Sequence, residues 1–210
     1  MLNSVHSSSI IKCLKDENDS NPETALAFFY FSFTDAKTQD IVEMLCSLIK
    51  QICCRRPDTP HSVESLTEYK EKGHRPYRKT LEKTLLDTIQ GFSRVYIVLD
   101  ALDECPSENG EREKLLDGLS RILNEGSQNL HLLCTSRRIA DIDTALEPVA
   151  SSHSNIKIDL SAQKEAVDRD IGLYIDNCFD TQPFKSWPGV MQAEAKAALV
   201  EKADGMSVLP

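Results

Sequence analysis

The chain reads as an α/β protein: a parallel sheet flanked by helices, followed by a small C-terminal helical appendage. Three observations predict this. Strand-like and helix-like segments alternate along most of the 210 residues, the signature of parallel strands joined by right-handed helical crossovers. The run Arg94–Leu99 is almost wholly apolar, as a strand covered on both faces must be. Beyond residue 161, only helical periodicity remains.

Taken in order, residues 8–15 predict a short amphipathic helix and Asp16–Glu23 a polar loop. Ala25–Phe33 is rich in aromatics and nearly unbroken, which predicts a strand. Between Thr38 and Cys53, Ile41, Leu45, Leu48, Ile49 and Ile52 recur at helical spacing, and Pro57 and Pro60 close that element. Residues 54–77 are polar and predict a loop with one short helix. Leu81, Leu85, Leu86 and Ile89 mark the next helix, closed by Gly91. The strand 94–100 follows, then a loop over Cys105–Gly110. Leu115, Leu116, Leu119, Ile122 and Leu123 make the apolar face of another helix, stopped at Gly126. A third strand is predicted over 130–135, one or two helical turns over Ile139–Leu146, and a fourth, alternating strand over 155–160. Ser161 caps a helix running to about Phe179, and after the loop Thr181–Gly189 a last helix runs to about Ala203.

Composition narrows the function classes. With 40% hydrophobic residues the chain can bury a core, and its formal net charge of −9 argues against a general nucleic-acid or membrane-surface binder. Seven cysteines at irregular spacing, without a CxxC pair, argue against zinc and suit a reducing cytosol. No segment reads as a secretory signal or a membrane span, so a cytoplasmic location is expected. His6, His61, His74, His131 and His153 share no ligand spacing, and no GxSxG elbow occurs.

The chemistry concentrates where the buried strand ends. Asp100 closes the apolar run, and Asp103 and Glu104 follow it. Open α/β sheets bind ligands at the carboxyl ends of their strands. The ordinary alternative is an acidic helix cap. A second feature is Thr135-Ser136-Arg137-Arg138 at the end of the strand 130–135, where a solvated turn or a salt bridge to nearby acids is the alternative.

Together, AFFYFSF, a helix with SLIKQI, VYIVLDALDEC, LHLLCTSRR and an IDL strand followed by DIGLYID resemble the NACHT domain of fungal signal-transduction P-loop NTPases of the STAND class. The subtype resembled is the nephrocystin-type N-terminal module, and the likeness spans roughly residues 8–205. It implies a Walker B strand, with Asp100 holding Mg²⁺ and with Asp103 and Glu104 polarising the attacking water. It implies a sensor element whose Arg137, with Arg138 as the alternate, reads the γ-phosphate. Family members carry a strand and a GxxxxGK(S/T) loop just before the helix matching residues 8–15. Here residues 2–7 precede the match and contain neither Gly nor Lys. The expectation is therefore a partial P-loop NTPase-type sheet: residues 1–160 as a nucleotide-binding core without its first strand and Walker A loop, and 161–210 as the start of a helical subdomain. A sheet lacking that strand is expected to expose an apolar edge and to dissolve poorly alone.

Two functions fit. One is a fragment or degenerate member of an ATP- or GTP-driven oligomerisation switch, unable to hold nucleotide by itself and using Mg²⁺ with ATP or GTP only if the phosphate loop is supplied. The other is a non-enzymatic module, without cofactor, forming homo- or hetero-oligomers through NACHT surfaces. Neither implies nucleic acid or membrane as a partner.

Overall fold

Buried apolar residues on both sides of one strand organise the molecule. In a computed structural model of the chain, Arg94–Asp100 forms the central strand, designated β2. Val95, Ile97, Val98 and Leu99 are each at most 3% exposed. Successive strand residues point to opposite faces, so this burial means that both faces are covered. Thr24–Tyr30 (β1) and Leu130–Cys134 (β3) pair with β2 on either side, both parallel to it, in the order β1-β2-β3. The register sets Tyr30 opposite Asp100, and Cys134 opposite Leu99, so the three carboxyl ends lie together.

The structure describes residues 2–18, 20–125, 129–152, 156–158 and 164–202. Its helices are α1 (Leu2–Asn18), α2 (Ile41–Cys53), α3 (His61–Glu64), α4 (Thr67–Glu71), α5 (Arg78–Gln90), α6 (Glu111–Glu125), α7 (Ala140–Ser152), α8 (Lys164–Phe179) and α9 (Gly189–Lys202). Asp40 caps α2 through a 2.7 Å bond from the Val42 amide. The buried stripes of α2, α5 and α6 join the sheet in one core that includes Leu45, Leu48, Ile52, Leu85, Ile89, Leu115 and Leu119. The chain divides into two compact units, one over Asn3–Asn155 and a smaller one of Met1–Leu2 with Ile156–Pro210. In the smaller unit, Ile171 and Ile175 of α8 pack with Phe179, Leu199 and Val200.

Several elements differ from the expectation. The first helix starts at Leu2 and runs to Asn18, taking in part of the predicted polar loop. The segment 54–77 holds two short helices rather than one. The helix after β3 continues through Pro148 to Ser152. Of the predicted fourth strand, residues 156–158 lie in no strand, with Ile156 86% and Ile158 65% exposed. Residues 155, 159 and 160 of that segment lie outside the described residues, as do Ser161 and Ala203.

The two edges of the sheet are treated differently. At β1, the Gln51 side-chain amide on α2 accepts from the Phe28 N–H (3.1 Å) and donates to the Phe28 carbonyl (2.9 Å), imitating a neighbouring strand. At β3, the Val95 amide donates to the Asn129 carbonyl and the Thr135 amide to the Leu99 carbonyl. Parallel pairing alternates along a strand, so the backbones of Leu130, Leu132 and Cys134 face away from β2, on a side where no further strand lies among the described residues.

Candidate functional site

The site begins with a sharp turn at the end of β2. Asp100 is 1% exposed. Ala101 then adopts the left-handed conformation (φ 58°, ψ 51°), and Leu102–Glu104 make one 3₁₀ turn. A non-glycine residue in that conformation is strained unless its surroundings hold it there. Here Thr135 does so. Its Oγ accepts from the Ala101 amide (3.0 Å) and donates to Asp100 Oδ1 (2.6 Å), while its carbonyl accepts from the Leu102 amide (2.9 Å). Ser7 of α1, fully buried, donates to the same Asp100 oxygen at 2.5 Å. Two hydroxyls thus fix the carboxylate that the apolar strand delivers.

Asp103 faces Arg137. The Arg137 amide donates to Asp103 Oδ1 (2.9 Å) and its guanidinium Nε to Oδ2 (2.5 Å). Burial pushes the Asp103 carboxyl up. The Arg137 amide and guanidinium pull it down further, and it ends below its ordinary value. Arg137 in turn is held more firmly protonated by its bond to Asp103. Its side chain remains 61% exposed, so one face of the cation meets solvent. Glu104 takes another direction, and its Oε2 accepts from the Phe33 amide at 3.0 Å.

Asp103, Glu104 and Arg137 line an open cleft of about 390 Å³ together with Phe33, Gln39 and Glu108. Asp100 lies outside that lining, beneath Ser7. Arg138 reaches Asp143 on α7 at 3.7 Å instead. The structure therefore gathers three of the five sequence-predicted residues at one opening. It buries a fourth beside Thr135 and turns the fifth aside.

Ser7 and Arg112 escaped the sequence reading, which named Thr135 within the strand-end motif but gave it no role. Ser7 and Thr135 bond Asp100 across 93 and 35 residues, and a hydroxyl at such a distance leaves no local pattern. Arg112 bonds the carbonyls of Asp103 and Cys105. It did leave a signal, because a cation in the first turn of a helix opposes the macrodipole and calls for another reason to be there.

The donors fit a hard cation held largely by substrate oxygens. Asp100, Ser7 and Thr135 offer only oxygen, and Mg²⁺ takes one or two carboxylates together with phosphate and water. Among the described residues, no group of three or more His, Cys, Asp or Glu could hold a metal alone. No described helix is long and apolar enough to cross a membrane.

Comparison with known proteins adds one match. The sequence profile described as "Nephrocystin 3, N-terminal" matches residues 3–137, which takes in the whole stretch from Ser7 to Arg137. No curated protein and no solved structure matches the chain.

Proposed function

The chain belongs to the nephrocystin 3 N-terminal family, and from that premise we propose that it carries the acid and arginine half of a NACHT-type nucleotide switch. In such a switch, hydrolysis of ATP or GTP resets an oligomerising protein. The observation that carries this reading is the Asp103–Arg137 pair. It places an arginine from one strand end against the acidic turn of the next, with the cation still open to the cleft. An arginine so held is ready to exchange a carboxylate for a γ-phosphate.

The residues then divide the work. Asp100, steadied by Ser7 and Thr135, would hold Mg²⁺, which supplies charge neutralisation at the phosphates when bound. Glu104, bonded at one oxygen by the Phe33 amide, is the better placed of the two acids to polarise water. Asp103 keeps Arg137 in place until the phosphate arrives. Arg138 is the alternate sensor. The nucleotide itself needs a GxxxxGK(S/T) loop ahead of α1 or supplied by a partner. Helix α1 begins at Leu2, five residues before the Ser7–Asp100 contact, so a preceding loop would arrive at the same carboxylate. The setting proposed is the cytoplasm.

The outward backbone of β3, with no further strand beside it among the described residues, supports a second, non-enzymatic reading, in which the chain pairs with other NACHT proteins and binds no nucleotide.

With the phosphate loop supplied, titration of a fluorescent ATP analogue with and without Mg²⁺ separates the two. The switch reading expects Mg²⁺-dependent affinity that Asp100→Ala reduces by about tenfold, the loss of roughly 1.4 kcal/mol of binding. Affinity that ignores both Mg²⁺ and the substitution removes Asp100 from any such mechanism.

A further inference from the structure

Arg112 is the second residue of α6, and its side chain is only 12% exposed. Each of its guanidinium nitrogens is engaged. Nη2 donates to the Asp103 carbonyl and Nε to the Cys105 carbonyl, both at 2.9 Å, and Nη1 donates to Asp141 Oδ2 at 3.2 Å. The Arg112 amide adds a bond to the Pro106 carbonyl at 2.9 Å. The two carbonyls bonded by the guanidinium flank Glu104. One planar group therefore fixes the peptide that leads into Glu104, whose carbonyl belongs to the residue that grips Arg137, and the peptide that leaves Cys105.

The third contact reaches the other side of the cleft. Asp141 lies in the first turn of α7, and Arg137 lies just ahead of that helix. The acidic turn and the segment leading into α7 are thus tied twice, by Asp103–Arg137 at the opening and by Arg112–Asp141 beneath it. The charged groups around this arrangement include Asp103, Glu104, Glu108, Glu111, Arg137 and Asp141.

We propose that Arg112 is a positioning residue of this site, holding the backbone around Glu104 so that Asp103 and Arg137 meet in register. The chemical use of that register rests on the switch reading above, but the holding does not, and it can be tested without nucleotide. Lysine keeps the charge of Arg112 but lacks the rigid fork that bonds two carbonyls at once, so a change in Arg112→Lys reports geometry rather than lost charge.

The measurement is a pH titration of the ¹³C-labelled Asp103 carboxyl in the whole chain, assigned with Asp103→Asn, with the Arg137 amide resonance followed in parallel. In the native chain Asp103 is expected to titrate below an ordinary aspartate, with the Arg137 amide shifting in step. In Arg112→Lys the midpoint is expected to rise toward that of an ordinary aspartate, and the linked amide shift to shrink. An unmoved midpoint and an unchanged amide shift in a folded Arg112→Lys chain, even one with a lower melting temperature, would make Arg112 a packing residue only. Should that variant not fold, Arg112→Gln is read through the Arg137 amide alone, where persistence of the pH-linked shift overturns the proposal and its loss supports it. Failure of nucleotide binding leaves this result standing either way.

Discussion

Asp103 illustrates how one residue can be read for stability as well as chemistry. Its carboxyl is held below the ordinary value of 3.8 in the folded chain. The unfolded chain therefore binds the proton first, and folding gains from the pair at any pH above about 3.8. That gain is lost as pH falls through the lower folded value. Urea unfolding at pH 7 and near pH 3 should show the native chain losing more stability over this interval than Asp103→Asn does, and parallel losses would contradict the pairing. Thr135 supports a second prediction. Thr135→Val removes a hydroxyl that serves Asp100 and the Ala101 amide together, and leaving those buried groups short of a partner should cost about 1–3 kcal/mol in urea melts. Cys105 supports a third. It is fully buried, and burial pushes its thiol up to about 11, against a smaller downward pull from Arg112. At pH 8 a thiol reagent should label the exposed Cys46 and Cys54 promptly and reach Cys105 only on unfolding. At this scale the sequence disclosed the acids and Arg137, because each sits at the end of an apolar run. It concealed Ser7 and the part Thr135 plays, since both bonds to Asp100 come from folding alone.

Among the elements, α5 and α6 meet at a glycine. Glu82 of α5 is 6% exposed and paired with Arg121 of α6 at 3.0 Å. A methyl on Gly118 would come within 2.8 Å of Glu82 Oε1. Gly118→Ala should therefore destabilise the native chain, since a buried, paired carboxylate must be displaced. In the Glu82→Ala background the same substitution should stabilise by about 1 kcal/mol, the ordinary helical advantage of Ala over Gly. Thermal melts of the four proteins test this reversal, and the same sign in both backgrounds would rule out the contact. The three strands and the long helices were readable from period and apolarity. The exposed Ile156 and Ile158 show where that reading stops: alternation describes a segment suited to a sheet, and residues 156–158 pair with none of β1, β2 and β3. The extension of α1 to Leu2 was hidden for a related reason. It depends on a seat for Ser7 against Asp100, which no local periodicity reports.

For the whole molecule, the fold class followed from alternation of elements, and the sheet order set its two edges apart. Hydrogen exchange should resolve that difference. The Phe28 amide, held by Gln51, should be protected, as should His131 and Leu133, whose amides face β2. Leu132 and Cys134, facing outward, should exchange much faster. Equal protection along β3 would mean that its outer side is covered.

The Gln51 amide has a consequence beyond β1. A sheet with two free edges can recruit copies from both sides and grow without limit. This one has a stopper at one margin, and among the described residues no strand lies along the other. Should hydrogen exchange find the outer side of β3 open, strand-to-strand association of the chain with itself would be spent in the first encounter, closing as a pair instead of propagating as a fibre.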